Sequence, residues 1–311
     1  MRAKWPPKFN AIYFGLLLFV IAQVLILLVA PRIDPFLDKN DIVIPTQPSG
    51  PIYWWPGNAT LPSGETVHVP VNSAAGPILI YIFAAVGVLG VTLSKIPVSA
   101  LKVILRLLFA LLFSWGAFIA TVFYVPLPAA VTVAALFGTF WFLITLVWLH
   151  NVVLVLAVSS LGAVFGRFVT PWTAMAIILA LAIYDFLAVR FKFMVWMADR
   201  LSQINALPAL IIPKKYAEWN VNLRKREEKI IELNPDEREY SILGGGDLAF
   251  PCLLTASVYF SHGLQPAVII ALLGLAGLAA VYVIQRIFLK GRAVPALPPI
   301  AALTLIGLFI I

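Results

Sequence analysis

The chain has few of the residues on which soluble enzymes build polar sites. Charged residues occupy 12% of its 311 positions, against roughly 25% in soluble domains. A single cysteine, Cys252, excludes an intramolecular disulfide and leaves no cysteine-based metal cluster. It reads as packing within an apolar run. The histidines are three, and none lies in an HExxH pattern. His68 falls in a polar loop, while His150 and His262 stand at the ends of apolar stretches and read as interfacial polar residues. Ser159, Ser160 and Ser241 have no evident His or Lys base, which argues against a serine nucleophile. No metal and no organic cofactor is implied.

What the chain has instead is hydrophobicity, 62% of its residues and a mean hydropathy of +0.98. This composition describes an integral, multi-pass membrane protein. The net charge of +8 does not call for nucleic acid, because a basic excess in membrane proteins collects in cytoplasmic loops. Stretches of about 17 to 25 apolar residues, enough to cross roughly 30 Å of hydrocarbon, predict nine helical spans. They are Ala11–Ala30, Gly76–Ser94, Val103–Val125, Pro128–Leu149, Val152–Val169, Pro171–Val189, Gly246–Leu264, Pro266–Ile284 and Val294–Ile311. The expected fold is all-α. The first span follows Arg2, Lys4 and Lys8 but is long for a signal core and lacks a small-x-small cleavage site, so it reads as an uncleaved anchor. Gly162-x-x-x-Gly166 in the fifth span is a helix-contact pattern.

Sorting basic residues into alternate loops sets the orientation, since the loops richer in Lys and Arg stay in the cytoplasm. With the N-terminus inside, only Arg32, Lys39 and Arg167 of the 22 Lys and Arg residues fall outside. Nine spans then put the C-terminus on the extracytoplasmic side. The loop 31–75 faces outward and carries the tripeptide Asn58-Ala59-Thr60, a weak glycosylation pattern. The loop 190–240 faces the cytoplasm. The chain divides by expectation into spans one to five, residues 1–169, and a second part of spans six to nine, residues 170–311.

An ionisable residue inside a bilayer points to function. Of the 14 acidic residues, only Asp185 and Asp247 lie within or at the edge of a span. They sit at the cytoplasmic ends of consecutive antiparallel helices, so the two carboxylates can face each other. Two carboxyl groups at one low-dielectric site share a proton, giving an acid and a base that can activate water against a peptide carbonyl. The glycines Gly244, Gly245 and Gly246 lack Cβ atoms, which lets a substrate backbone or another helix approach Asp247. Pro295, Pro298 and Pro299 open the last span at the same level of the bilayer and disfavour a regular helix there. On residues alone, a proton-coupled transporter using Asp185 and Asp247 as a relay, or a non-catalytic scaffold, stays open beside the protease.

The cytoplasmic loop has three parts. Residues 190–204, "RFKFMVWMADRLSQI", fit either a helix on the membrane surface or a simple extension of the sixth span. Residues 223–239 are a solvated charge run. Flanking that run, Ala209–Pro213 and Tyr240–Gly244 are short apolar patches expected to form strands that pair with an unwound substrate through Ile211 and Ile242.

Three motifs in order carry a resemblance: Tyr184-Asp185 in the sixth span, Gly244-Gly245-Gly246-Asp247 as GxGD in the seventh, and Pro295-Ala296-Leu297-Pro298 as PALP in the ninth. Together the sequence resembles the presenilin and signal-peptide-peptidase family of intramembrane aspartyl proteases, over roughly Pro171–Ile311. The resemblance implies that Asp185 and Asp247 are the catalytic pair and that Pro295 to Pro298 shapes the active site. It implies membrane-spanning polypeptides as substrates in a lipid setting and does not imply an obligate partner subunit. The expected orientation is similar to presenilin rather than to signal peptide peptidases, and the compact chain looks like the microbial, especially archaeal, homologues, which implies a prokaryotic cell membrane. Gly245 departs from the larger apolar residue often found at the x of GxGD, and that bears on cleavage-site preference.

Overall fold

A computed structural model describes residues 7–42, 52–61, 63–191, 196–197, 207–223, 240–287 and 294–311. The expected charge run, apart from Leu223, and most of the stretch 190–204 lie outside them. The described residues form nine α-helices: α1 Pro7–Lys39, α2 Ala75–Lys95, α3 Val98–Val122, α4 Leu127–Leu143, α5 Val147–Gly166, α6 Pro171–Arg190, α7 Gly245–His262, α8 Leu264–Ile287 and α9 Leu297–Ile310. Six of them, α1, α2, α3, α5, α6 and α8, are long and apolar enough to cross a membrane. Helices α4 and α9 are apolar but shorter.

The described residues are mostly helical, as the all-α expectation had it, and two antiparallel strand pairs interrupt the helices. One pairs β1, Gly57–Thr60, with β2, Thr66–Val69, inside the loop expected to face outward. The other pairs β3, Ala209–Pro213, with β4, Tyr240–Gly244. Helix α1 also runs past Ala30, where the sequence ended it, through Pro31 and Pro35 to Lys39. Each of these prolines costs the helix one backbone donor, and tertiary contacts hold the extension nevertheless. The Tyr124 hydroxyl donates to the Leu28 carbonyl at 2.7 Å, Phe36 meets Phe123 edge-on, and Asp34 pairs with Arg167.

Helix α5 sits at the centre, packed against α1, α3 and α7. Its small residues permit this: a Cβ on Gly162 would stand 3.2 Å from the Cβ of Cys252, and one on Gly166 would stand 2.9 Å from the Leu253 carbonyl. The Gly162-x-x-x-Gly166 pattern is thus the seam between α5 and α7, and Cys252 is buried in it. Helix α9 packs on α6 and α8, which brings the last element of the chain beside Asp185.

The boundary between α4 and α5 falls earlier than the hydropathy placed it. Residues 144–146 leave the helix, and the connection exchanges backbone hydrogen bonds with the segment after β3: Val147 N–H to Val221 carbonyl at 3.2 Å and Leu223 N–H to Thr145 carbonyl at 2.9 Å. Hydropathy cannot register such a break, since Ile144 and Leu146 are as apolar as the helices beside them. The consequence is that His150 and Asn151 enter the first turns of α5, facing β3.

Candidate active site

The last turns of α6, the start of α7 and the start of α9 converge on one place. Asp185, on α6, is 8% exposed. Its Oδ2 accepts the Leu297 N–H at 3.3 Å, and the Ala296 N–H is a second donor to the same carboxylate. The prolines explain why these two amides are available. Ala296 caps α9 and Leu297 is its first residue, so Pro298 and Pro299 occupy the next two positions. A helix start leaves its first N–H groups without intrahelical partners, and two of those positions here have no N–H at all. The remaining donors turn to Asp185. The prolines therefore open the helix rather than break it, a correction to the irregular start expected from the sequence. Ala296 and Leu297 are buried, while Pro295 and Pro298 are half-buried.

Asp247 is the third residue of α7, whose cap is Gly244. It accepts a hydrogen bond from the Gly244 backbone N–H, the arrangement in which a carboxylate three residues into a helix reaches back to the cap. It also lies within the electrostatic range of Asp185, so like charge on the two is disfavoured.

The three glycines differ in their surroundings. A Cβ on Gly244 would stand 2.9 Å from the Asp247 Oδ2, and one on Gly245 would stand 2.7 Å from the Pro208 carbonyl, whereas one on Gly246 would meet only the Phe250 ring at 3.4 Å. Gly244 thus admits its own carboxylate partner and Gly245 admits the backbone of the β3 approach. Gly246 is exposed and leaves the space beside Asp247 open. The small residue at the x of GxGD has a local reason in this chain: the Gly245 N–H donates to the Pro208 carbonyl at 2.9 Å, and the approach leaves no room for a side chain.

Beyond Asp247 runs the β3–β4 hairpin, with Ile211 opposite Ile242 and Ala209 opposite Gly244. The two patches expected as strands are strands over the expected residues, but they pair with each other. Only alternate residues of an antiparallel pair exchange hydrogen bonds. Asn151 settles which ones, since its Nδ2 donates to the Ile211 carbonyl at 2.7 Å and its Oδ1 accepts the Ile211 N–H at 2.9 Å. The Ile211 backbone therefore points away from β4, and the backbone of Ile242, its partner in a non-hydrogen-bonded pair, points out from the other edge. Ile211 is buried and its edge occupied. Of the two isoleucines expected to meet a substrate strand, Ile242 alone presents backbone groups on an edge that α5 leaves uncovered.

Two tyrosines stand beside the aspartates. The Tyr184 and Tyr282 hydroxyls are buried, with no hydrogen-bond partner among the described residues, and the Tyr184 ring meets Phe83 of α2 at 5.6 Å. Tyr282, on α8, lies within the electrostatic range of Asp247. Sequence reasoning missed Tyr282, Pro208 and Asn151, and took His150 for an interfacial residue although it is 2% exposed. Asn151 gave no usable signal, because hydropathy placed it in the connection between two spans rather than inside a helix. No cluster of His, Cys, Asp and Glu able to hold a metal occurs among the described residues.

A family model described as signal-peptide peptidase, presenilin aspartyl protease matches residues 16–311. Two solved structures of a presenilin family intramembrane aspartate protease, in C222 and P2 crystals, share the fold. The first is 15% identical with a TM-score of 0.56 and covers 95% of this chain and 94% of its own. The second is 17% identical with a TM-score of 0.51, covering 98% of this chain and 97% of its own. Among curated proteins no relative matches.

Proposed function

The chain belongs to the signal-peptide peptidase, presenilin aspartyl protease family and is an intramembrane aspartyl protease, and we propose that Asp185 and Asp247 are the pair that carries its chemistry. The observation that supports this is their meeting: carboxylates from α6 and α7 are electrostatic neighbours, and the start of α9 donates to one of them. The unprotonated carboxylate takes a proton from water as the water oxygen attacks the scissile carbonyl carbon. The protonated one donates to the carbonyl oxygen, giving a tetrahedral diol. Collapse then returns a proton to the departing amide nitrogen and leaves a carboxyl and an amine terminus. The Ala296 and Leu297 amides hold Asp185 in place through this exchange. Pro295 to Pro298, Tyr184 and Gly244 to Gly246 shape the space around the pair.

The substrates are transmembrane segments of membrane proteins or signal peptides, presented from lipid, with no nucleic acid and no cofactor in the reaction. An extended substrate strand adds to the β4 edge at Ile242, where main-chain pairing selects an unwound backbone whatever its side chains. The Gly244 N–H on Asp247 ties that edge to the catalytic helix. The chain crosses a prokaryotic cell membrane nine times, with its N-terminus in the cytoplasm. Residues 1–169 form the supporting bundle and residues 170–311 the catalytic part.

The experiment is product mass spectrometry on purified protein in detergent, given a single-span peptide and compared with Asp185→Asn and Asp247→Asn. Each variant is expected to lower cleavage by about a hundredfold to ten-thousandfold, since base and acid each contribute on the order of 10²–10⁴. Equal cutting by all three proteins would refute the assignment.

A further inference from the structure

The far side of the hairpin, away from β4, is closed by two side chains of α5. The His150 Nδ1 accepts the Trp141 indole N–H at 3.2 Å. Its proton is therefore on Nε2, which donates to the Ala209 carbonyl at 3.0 Å. One residue on, Asn151 matches both backbone groups of Ile211 as the peptide of a neighbouring strand would. Ala209 and Ile211 are the residues whose backbone faces that edge, and the next one, Pro213, has no N–H to offer. His150 and Asn151 are 2% and 1% exposed, so these bonds form where water does not compete.

Resting on the reading that substrate pairs with β4, we infer that Asn151, supported by His150, is a positioning residue for cleavage: it acts as a one-residue third strand that fixes the hairpin to α5. Two consequences give it that role. An open β3 edge would offer substrate a second docking place, about three strand spacings, or roughly 14 Å, from the productive one. The clamp closes it. The strand β4 runs into the catalytic helix through Gly244 and Gly245, residues with a permissive backbone about which it could pivot. The path from Asn151 through Ile211 and the β3–β4 ladder to Ile242 removes that freedom. The clamp also resists slippage. A one-residue shift of β3 would turn the Ile211 backbone toward β4, and a two-residue shift one way would set Pro213 against Asn151, where one of the two bonds cannot form.

The test uses the full-length enzyme in detergent, a single-span peptide substrate, and Asn151→Leu, Asn151→Asp and Ile242→Pro beside wild type, reading product masses, kcat, KM and thermal midpoint. Asn151→Leu removes both bonds at similar volume, and Asn151→Asp keeps the acceptor for the Ile211 N–H while removing the donor to its carbonyl. The expected result is that kcat/KM falls about tenfold for Asn151→Leu, the factor set by one or two net hydrogen bonds. Asn151→Asp falls between it and wild type. In both, the dominant wild-type cut gives way to a spread of neighbouring cuts, a change that simple loss of folded enzyme does not produce. If Asn151→Leu does not fold, the product set of Asn151→Asp decides. A wild-type product set and KM in the Asn151 variants, while Ile242→Pro loses cleavage, would overturn the clamp and leave the β4 reading standing. Normal cleavage by Ile242→Pro would remove the β4 reading itself.

Discussion

Replacing Gly245 by alanine tests whether the contact between α7 and the approach to β3 is as close as the structure draws it. The added Cβ would stand 2.7 Å from the Pro208 carbonyl oxygen, an atom of the backbone that cannot rotate away. That oxygen is also the acceptor for the Gly245 N–H at 2.9 Å. Moving it aside costs about 1–3 kcal/mol of overpacking and about 1 kcal/mol for the weakened hydrogen bond. Exchanging glycine for alanine at a helix start returns up to about 1 kcal/mol. The net is a loss of about 1–4 kcal/mol, or roughly 2–16 °C in thermal midpoint at about 2–4 °C per kcal/mol. Gly246→Ala is the internal control, because its Cβ meets only the Phe250 ring at 3.4 Å. That variant is expected to keep or slightly raise the midpoint. Thermal unfolding of both proteins in the same detergent, with cleavage of one peptide measured alongside, makes the comparison. Gly245→Ala should also lose roughly tenfold in kcat/KM as the joint beside Asp247 opens. A Gly245→Ala midpoint equal to or above that of Gly246→Ala would refute the argument.

Two more outcomes follow from the same packing. A Cβ on Gly277 of α8 would stand 2.6 Å from the Ile300 Cα, so Gly277→Val should push the start of α9 away from Asp185. We expect a loss of about 1–3 kcal/mol in thermal unfolding and a larger proportional fall in kcat than in KM. Arg167→Met removes the partner of Asp34, an ion pair half open to solvent. About 1 kcal/mol should be lost, with more rapid proteolysis near Lys39 and an unchanged set of cleavage products.

The sequence by itself determined the membrane class and the existence of the helices, and it singled out Asp185 and Asp247 as candidates. These follow from local facts: twenty apolar residues cannot stay in water, and a carboxylate inside such a run needs a reason to be there. The Ala209–Pro213 and Tyr240–Gly244 strands were legible too, as short apolar patches between polar stretches. What those strands pair with was not legible, because pairing depends on which edges are already occupied. Asn151 occupies one, from a helix about sixty residues away in the chain, and Ile211 and Ile242 consequently play different parts. Extension of α1 through Pro31 and Pro35 likewise depended on Tyr124, Phe123 and Arg167, none of them local. At the PALP motif the sequence marked the place, but its use as a pair of free amides aimed at Asp185 required α9 to pack against α6. Local propensity sets which segments form, and only the packing of distant segments decides where their remaining hydrogen-bonding groups are satisfied.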